Sequence, residues 1–116
     1  MNADSTLMGF IIDCETDDLE AAAGFWSAAL NLPRKGPSTD GKYVELDSGA
    51  LGLHIEVQKV RHPSRVHLDL RARDVDAEVK RLEALGAKFV ERYERWTVME
   101  APTGQRFCVV RDRPGN

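Results

Sequence analysis

The sequence predicts an α+β domain of two similar halves, each running strand, helix and then several strands. Three observations predict it. Two stretches repeat apolar residues at the three- and four-residue spacing that lines one face of a helix. Seven others alternate with the two-residue period of a strand. Sliding the chain by 56 residues then lays Ile11 on His67, Asp13 on Asp69, Asp18 on Asp74, Ala23 on Val79 and Trp26 on Leu82, so strand meets strand and helix stripe meets helix stripe.

In chain order, Gly9 to Asp13 reads as the first strand. Leu19, Ala22, Ala23, Trp26, Ala29 and Leu30 form the first helix stripe, with Asp17 and Glu20 spaced for a capping box and Pro33 as a stop. Trp26, Phe25 and Leu30 are its expected helix-to-sheet core. Tyr43 to Leu46 is a short strand, and Leu53, Ile55 and Val57 alternate with His54, Glu56 and Gln58. The boundary between halves is expected at Arg61 to Ser64, where His62-Pro63 marks a connection. Val66, Leu68 and Leu70 then alternate with Arg65, His67, Asp69 and Arg71. Val75, Val79, Leu82 and Leu85 line the second helix, with Asp74 as N-cap and Gly86 as the left-handed residue that ends it. Phe89 to Arg92, Trp96 to Glu100 and Phe107 to Arg111 complete the strands, separated by turn residues such as Pro102-Thr103-Gly104.

A chain of 116 residues has room for one domain, expected over 1–116 with module one at about 7–61 and module two at about 64–112. Hydrophobic residues at 42% and charged residues at 30% match soluble globular domains and argue against disordered or fibrous classes. A net charge of -3 with mixed signs offers no field for phosphates, so nucleic acid is not an expected partner. No apolar run reaches the length of a membrane span, and the first residues lack a secretory pattern, so the expected compartment is the cytoplasm. Cys14 and Cys108 are read as reduced thiols.

Two consecutive βαβββ units in about this length resemble the vicinal oxygen chelate superfamily, which includes glyoxalase I, extradiol dioxygenases and the fosfomycin- and bleomycin-resistance proteins. The stretch 65–87, opening Arg65-Val-His-Leu-Asp-Leu-Arg, resembles the start of the family's second module. Ala101 to Val110 resembles its last hairpin, and Ile12-Asp13-Cys14 with Phe25-Trp26 resembles the first module. Together they point to the small glyoxalase-like branch. The resemblance implies that each module rolls into a cup, forming a curved mixed sheet with a pocket between the modules, and that two chains form a homodimer. It further implies one divalent metal, zinc, iron, nickel or manganese, held by a residue from the first and last strand of each module. Those positions look like Ile11 and Glu56, with His54 or Gln58 as register alternatives, and His67 and Cys108. Ile11 cannot ligate, and Cys108 stands where a carboxylate or imidazole is usual. The implied metal set is therefore His67, Glu56 and Cys108, and ordinary glyoxalase I activity is not expected. The turn Ala101-Pro102-Thr103-Gly104-Gln105 also departs from the family's Asp-Pro-x-Gly-Asn.

The leading functional reading is a glyoxalase-like lyase, isomerase or dioxygenase acting on a small oxygenated molecule, with His67 and Glu56 as the catalytic pair. A metal there would stabilise an enolate or similar oxyanion while a carboxylate moves the proton. Tyr43, Gln58, Asp69 and Trp96 are the expected ligand-binding residues, Asp69 by orienting His67 on their shared strand face. Each has a plainer reading. His67 can be a hydrogen-bonded structural histidine, Glu56 and Gln58 can face water, Cys108 can be packing, and Tyr43 and Trp96 can be core. His54 reads as surface and His62 as loop, while Arg92 or Arg95 could meet an anionic substrate at a pocket rim. The alternative function is a non-catalytic protein that sequesters a small molecule or drug, as the bleomycin-resistance members do. A third is a regulatory module working through protein contacts.

Overall fold

A computed structural model describes residues 5–36 and 40–112. Its elements are β1 (Ser5–Glu15), α1 (Leu19–Leu30), β2 (Tyr43–Asp47), a single 3-10 turn (Gly49–Leu51), β3 (His54–Val60), β4 (Arg65–Ala72), α2 (Val75–Ala84), β5 (Lys88–Arg92), β6 (Trp96–Glu100) and β7 (Arg106–Arg111). All seven expected strands and both helices are present, and the fold is mixed α+β. By contacts the described residues divide into two units, one of 9–66 and one of 5–8 with 67–112. The expected boundary at 61–64 is thus a connection within the first unit, which keeps Arg65 and Val66.

In the first unit β3 lies between β2, antiparallel, and β1, parallel. The stretch after α1 adds a fragment of a further strand: Arg34 bridges Leu46, Lys35 N donates to the Glu45 carbonyl at 3.0 Å, and Asp47 N donates to that of Pro33 at 2.7 Å. Ile12, Cys14, Val44, Leu46, Ile55 and Val57 share one face of this sheet and pack with Leu19 and Ala23 of α1. The second unit has the same plan: β4 runs parallel to β7, and β6 lies antiparallel between β7 and β5. Ala72, Met99 and Val109 pack with Leu82 of α2, flanked by Leu70, Val75, Val79 and Phe107.

The caps differ from expectation at α1. Asp18, not Asp17, is the N-cap, accepting from Ala21 N at 3.0 Å, and Asp18 N donates to Thr16 Oγ1. The Asp17–Glu20 capping box does not form, because the Glu20 carboxylate is taken by a two-pronged contact from Arg34 at 2.8 and 3.1 Å. Asn31, with a left-handed φ of 57°, ends the helix before Pro33 is reached. Phe25 is 62% exposed and Leu30 is exposed as well, so neither belongs to the core. Phe25 lies off the stripe that buries Leu19 and Ala23 and meets Trp26 edge-on, with ring centres 5.1 Å apart. At α2, Asp74 caps Ala77 N at 3.0 Å as expected, but Leu85 falls beyond the last helical turn and is exposed, followed by Gly86 at φ 109°.

Two further constraints position the strands. A Cβ on Gly9 would lie 1.8 Å from the His54 carbonyl oxygen, so this close approach of β1 to β3 demands glycine. In the second unit Glu78 of α2 is fully buried and accepts from Ser5 N at 3.0 Å, from Ser5 Oγ, and from Arg81 through Nε and Nη2. The network ties the start of β1 to α2 within that unit.

Gly9→Ala is predicted to destabilise the fold by about 1–3 kcal/mol in denaturant unfolding, the usual range for overpacking against backbone that cannot move aside. Full stability in that variant would show that the approach at His54 relaxes at no cost. Arg81, and then Ser5, hold the Glu78 carboxyl down at about 2, against a burial effect that alone would raise it. The folded value lies below the ordinary 4.5, so this network stabilises fully above pH 4.5 and its contribution fades as pH falls toward 2. The loss is of order 3 kcal/mol at most. Unfolding free energies across that interval should show the slope in the wild type and a flattened one in Glu78→Gln.

Candidate functional site

Strand alternation gives each sheet a second, polar face. In the first unit it carries Tyr43 and Glu45 from β2, His54, Glu56 and Gln58 from β3, and Ile11 and Asp13 from β1. Tyr43 stands opposite Gln58, Glu45 opposite Glu56, and Ile11 opposite Glu56 on the other side. His54 links the carboxylates: its Nε2 is 2.9 Å from Glu56 Oε1 and its Nδ1 is 3.3 Å from Glu45 Oε2. Lys35 Nζ lies 3.1 Å from the same Glu45 oxygen. A neutral imidazole donates from one nitrogen only. Asp13 is buried, with Arg65 Nε 3.9 Å from its Oδ2.

In the second unit the polar face carries His67, Asp69 and Arg71 from β4, and Arg106 and Cys108 from β7. Trp96, Val98 and Glu100 of β6 continue it, with Val98 directly opposite Cys108. The parallel register sets Asp69 directly opposite Cys108, and His67 stands two residues before Asp69 on the same side. One donor atom from each of His67, Asp69 and Cys108 lies within 4.8 Å of the other two. Two donors bonded to one ion at roughly 2.0–2.3 Å are separated by at most about 4.5 Å, so this trio is a small side-chain adjustment from sharing an ion. Asp69 is 8% exposed, and its Oδ1 is 3.4 Å from His67 Nε2 yet accepts no well-formed hydrogen bond. Buried carboxylate oxygens normally have donors. Cys108 is a free, half-buried thiol.

The residues expected from sequence therefore fall in two places. His67, Asp69 and Cys108 come together in the second unit, with Trp96 further along the same face. Trp96 is 40% exposed and stacks on Tyr93, with ring centres 4.8 Å apart at 18°. Glu56, Gln58 and Tyr43 lie in the first unit, half-buried. The three donors that lie together include Asp69 and not Glu56, whose carboxylate is engaged by His54. His54 is half-buried between two acids and is not the surface residue expected. Sequence reading missed Glu45, which the alternation Tyr43-Glu45-Asp47 already set on the polar face, and Arg71, whose buried Nε has no acceptor.

The family model for the glyoxalase-like domain matches residues 9–110, nearly all of the described chain. The chain belongs to this family. Structural likeness agrees with a glyoxalase-like fold. A hypothetical protein from Bacillus halodurans shares 11% identity, with 97% of each chain covered and a TM-score of 0.68. Methylmalonyl-CoA epimerase from Mycobacterium tuberculosis shares 18%, covering 98% of this chain and 94% of that one at a TM-score of 0.63. The Mn(II)-bound glyoxalase from Novosphingobium aromaticivorans shares 19%, covering 91% of this chain and 38% of that one at 0.63. No curated protein matches the sequence. Glyoxalase-like neighbours thus include enzymes of more than one chemistry, and among the described residues no helix is long and apolar enough to cross a membrane.

The orphaned oxygen of Asp69 has a measurable consequence for this glyoxalase-like domain. Replacing a buried, unsatisfied polar group by an apolar one of similar size removes a desolvation penalty of about 1–3 kcal/mol. Asp69→Leu should accordingly leave the metal-free protein as stable as the wild type or more so by thermal unfolding. A loss of several degrees would mean that the Asp69 carboxylate is already satisfied in the folded chain.

Proposed function

We propose that the chain is a divalent-metal-dependent enzyme of the glyoxalase-like family that acts on a small oxygenated substrate, with His67, Asp69 and Cys108 holding the ion. The observation that supports this best is the convergence of the three donors around a buried carboxylate oxygen that lacks a donor of its own. An imidazole, a carboxylate and a thiolate form a donor set suited to zinc or iron, with positions left open for substrate. When bound, the ion would supply Lewis-acid stabilisation of a developing oxyanion on the substrate. His67 serves as a neutral ligand, and Asp69 beside it fixes the ring's orientation at 3.4 Å. Cys108 must shed its proton to ligate, so affinity for the ion rises with pH. Trp96 with Tyr93 supplies a broad apolar surface further along the same face.

A second reading rests on that same aromatic pair. Stacked, parallel and 40–43% exposed, Tyr93 and Trp96 form a flat platform of the kind that binds planar ligands without chemistry. One experiment separates the two. Protein purified without an affinity tag should carry stoichiometric zinc or iron, and Co(II) added to the metal-free form should give a thiolate charge-transfer band that is lost in both His67→Ala and Cys108→Ser. Turnover should then appear with a member of a panel of hemithioacetals, catechols or 2-oxo acid derivatives and fall about 100-fold or more in His67→Ala, the scale of losing a group that acts in the transition state. No metal, no Co(II) response and a ligand whose binding ignores chelator but vanishes in Trp96→Ala would decide for the binding protein.

A further inference from the structure

Among the described residues of the second unit, two opposite charges stand two positions apart on one strand face without pairing. Asp69 Oδ1 and Arg71 Nε are both buried, and neither has a hydrogen-bond partner. No ion pair or hydrogen bond joins Arg71 to any other side chain, whereas Arg106 on the same face is paired with Glu100 at 3.1 Å and Arg81 on α2 with Glu78. Their neighbours Leu70 and Ala72 belong to the opposite, packed face, so Asp69 and Arg71 both project to the side that carries Cys108. Leaving a buried donor and a buried acceptor unsatisfied side by side is costly, and direct pairing would relieve both. The chain forgoes that pairing. An insert with its positive end at Asp69 and its negative end at Arg71 satisfies both groups at once.

We propose that Arg71 is the anion-recognising residue of this site and that the substrate class is a small carboxylic acid with a second oxygen a few bonds from the carboxylate, such as a 2-oxo or 2-hydroxy acid. This rests on the reading of His67, Asp69 and Cys108 as the metal-holding trio. Alternate residues on a strand are spaced by roughly 6–7 Å, a distance that a three- or four-atom chain spans with its carboxylate on the guanidinium and its oxygen toward the trio. A guanidinium meets a planar carboxylate through two parallel hydrogen bonds, which an ammonium cannot reproduce. One unpaired cation also balances one negative charge. With Arg106 already committed to Glu100, the face has no second free guanidinium for a phosphate dianion.

The test is calorimetric titration of the full chain, with and without bound Co(II), using pyruvate, its neutral methyl ester and inorganic phosphate as probes. Wild-type protein should bind pyruvate at least tenfold more tightly than methyl pyruvate and more tightly than phosphate. Arg71→Gln should lose that tenfold preference while binding the ester as before, and Arg71→Lys should recover only part of it. The Co(II) spectrum of Arg71→Gln, unchanged from wild type, certifies that the fold and the trio are intact. Equal affinity for acid and ester, an undiminished preference in Arg71→Gln, tighter binding of phosphate, or no heat with any probe at about 10 mM, well above a millimolar dissociation constant, overturns the assignment. Failure of the metal reading looks different: the Co(II) band is then missing from the wild type, and the metal-free titrations alone show whether Arg71 selects the carboxylate.

Discussion

Each unit depends on one parallel strand pairing, β1 with β3 and β4 with β7, because the register of that pair decides which side chains share a face. A slip of one residue along β4 or β7 would turn Asp69 or Cys108 toward the packed side and bring Leu70 or Val109 to the polar face. In the first unit the pairing is held by Gly9, which admits the His54 backbone where any side chain would collide. In the second it is held by the packing of Ala72, Met99 and Val109 under α2, with Glu78 tying the helix to Ser5. The chemistry of both polar faces follows from these registers. Asp13 pairs with Gln58 and Asp69 pairs with Cys108, so within the repeat Cys108 answers to Gln58 and not to Glu56.

Charge is handled in different ways across this small protein. Glu78 is satisfied completely by Ser5 and Arg81, and its lowered proton affinity records how well. The series Lys35, Glu45, His54 and Glu56 is also satisfied, each charge meeting an opposite one at 3.3 Å or less. Asp69 Oδ1 and Arg71 Nε are buried without a hydrogen-bond partner, and Asp69 stands beside groups able to ligate. Folded proteins retain such costs chiefly where a ligand relieves them.

Much of this was legible in the residues, and what was not has physical causes. The helix stripe at Val75, Val79 and Leu82 is readable because amphipathic periodicity is set by burial on one side, which leaves its mark in composition; in β4 this holds for Leu70 and Ala72, whereas Val66 and Leu68 are exposed. The cap at Asp18 and the exposure of Phe25 were not. Three acids stand in a row at the start of α1, or nearly so, and which of them caps depends on Thr16 and on Arg34 drawing Glu20 away, contacts that sequence spacing does not encode. His67 and Cys108 were found through resemblance, and Asp69 through its shared face with His67. Arg71 escaped notice because a single arginine on a polar strand face looks like any solvated cation. Only coordinates show that its Nε is shut away from water with no acceptor.

Ile11 sharpens the same point from the other unit. It is buried at 3% exposure where the resemblance implied a metal ligand, and it stands opposite Glu56, whose carboxylate turns to His54. With an apolar side chain at that place, β1 offers no ligand beside Glu56, and Glu45, His54 and Glu56 meet one another along β2 and β3. The second unit supplies three donors from two neighbouring strands, adjacent in register and on one face. Such a set needs no contribution from β1 or β3.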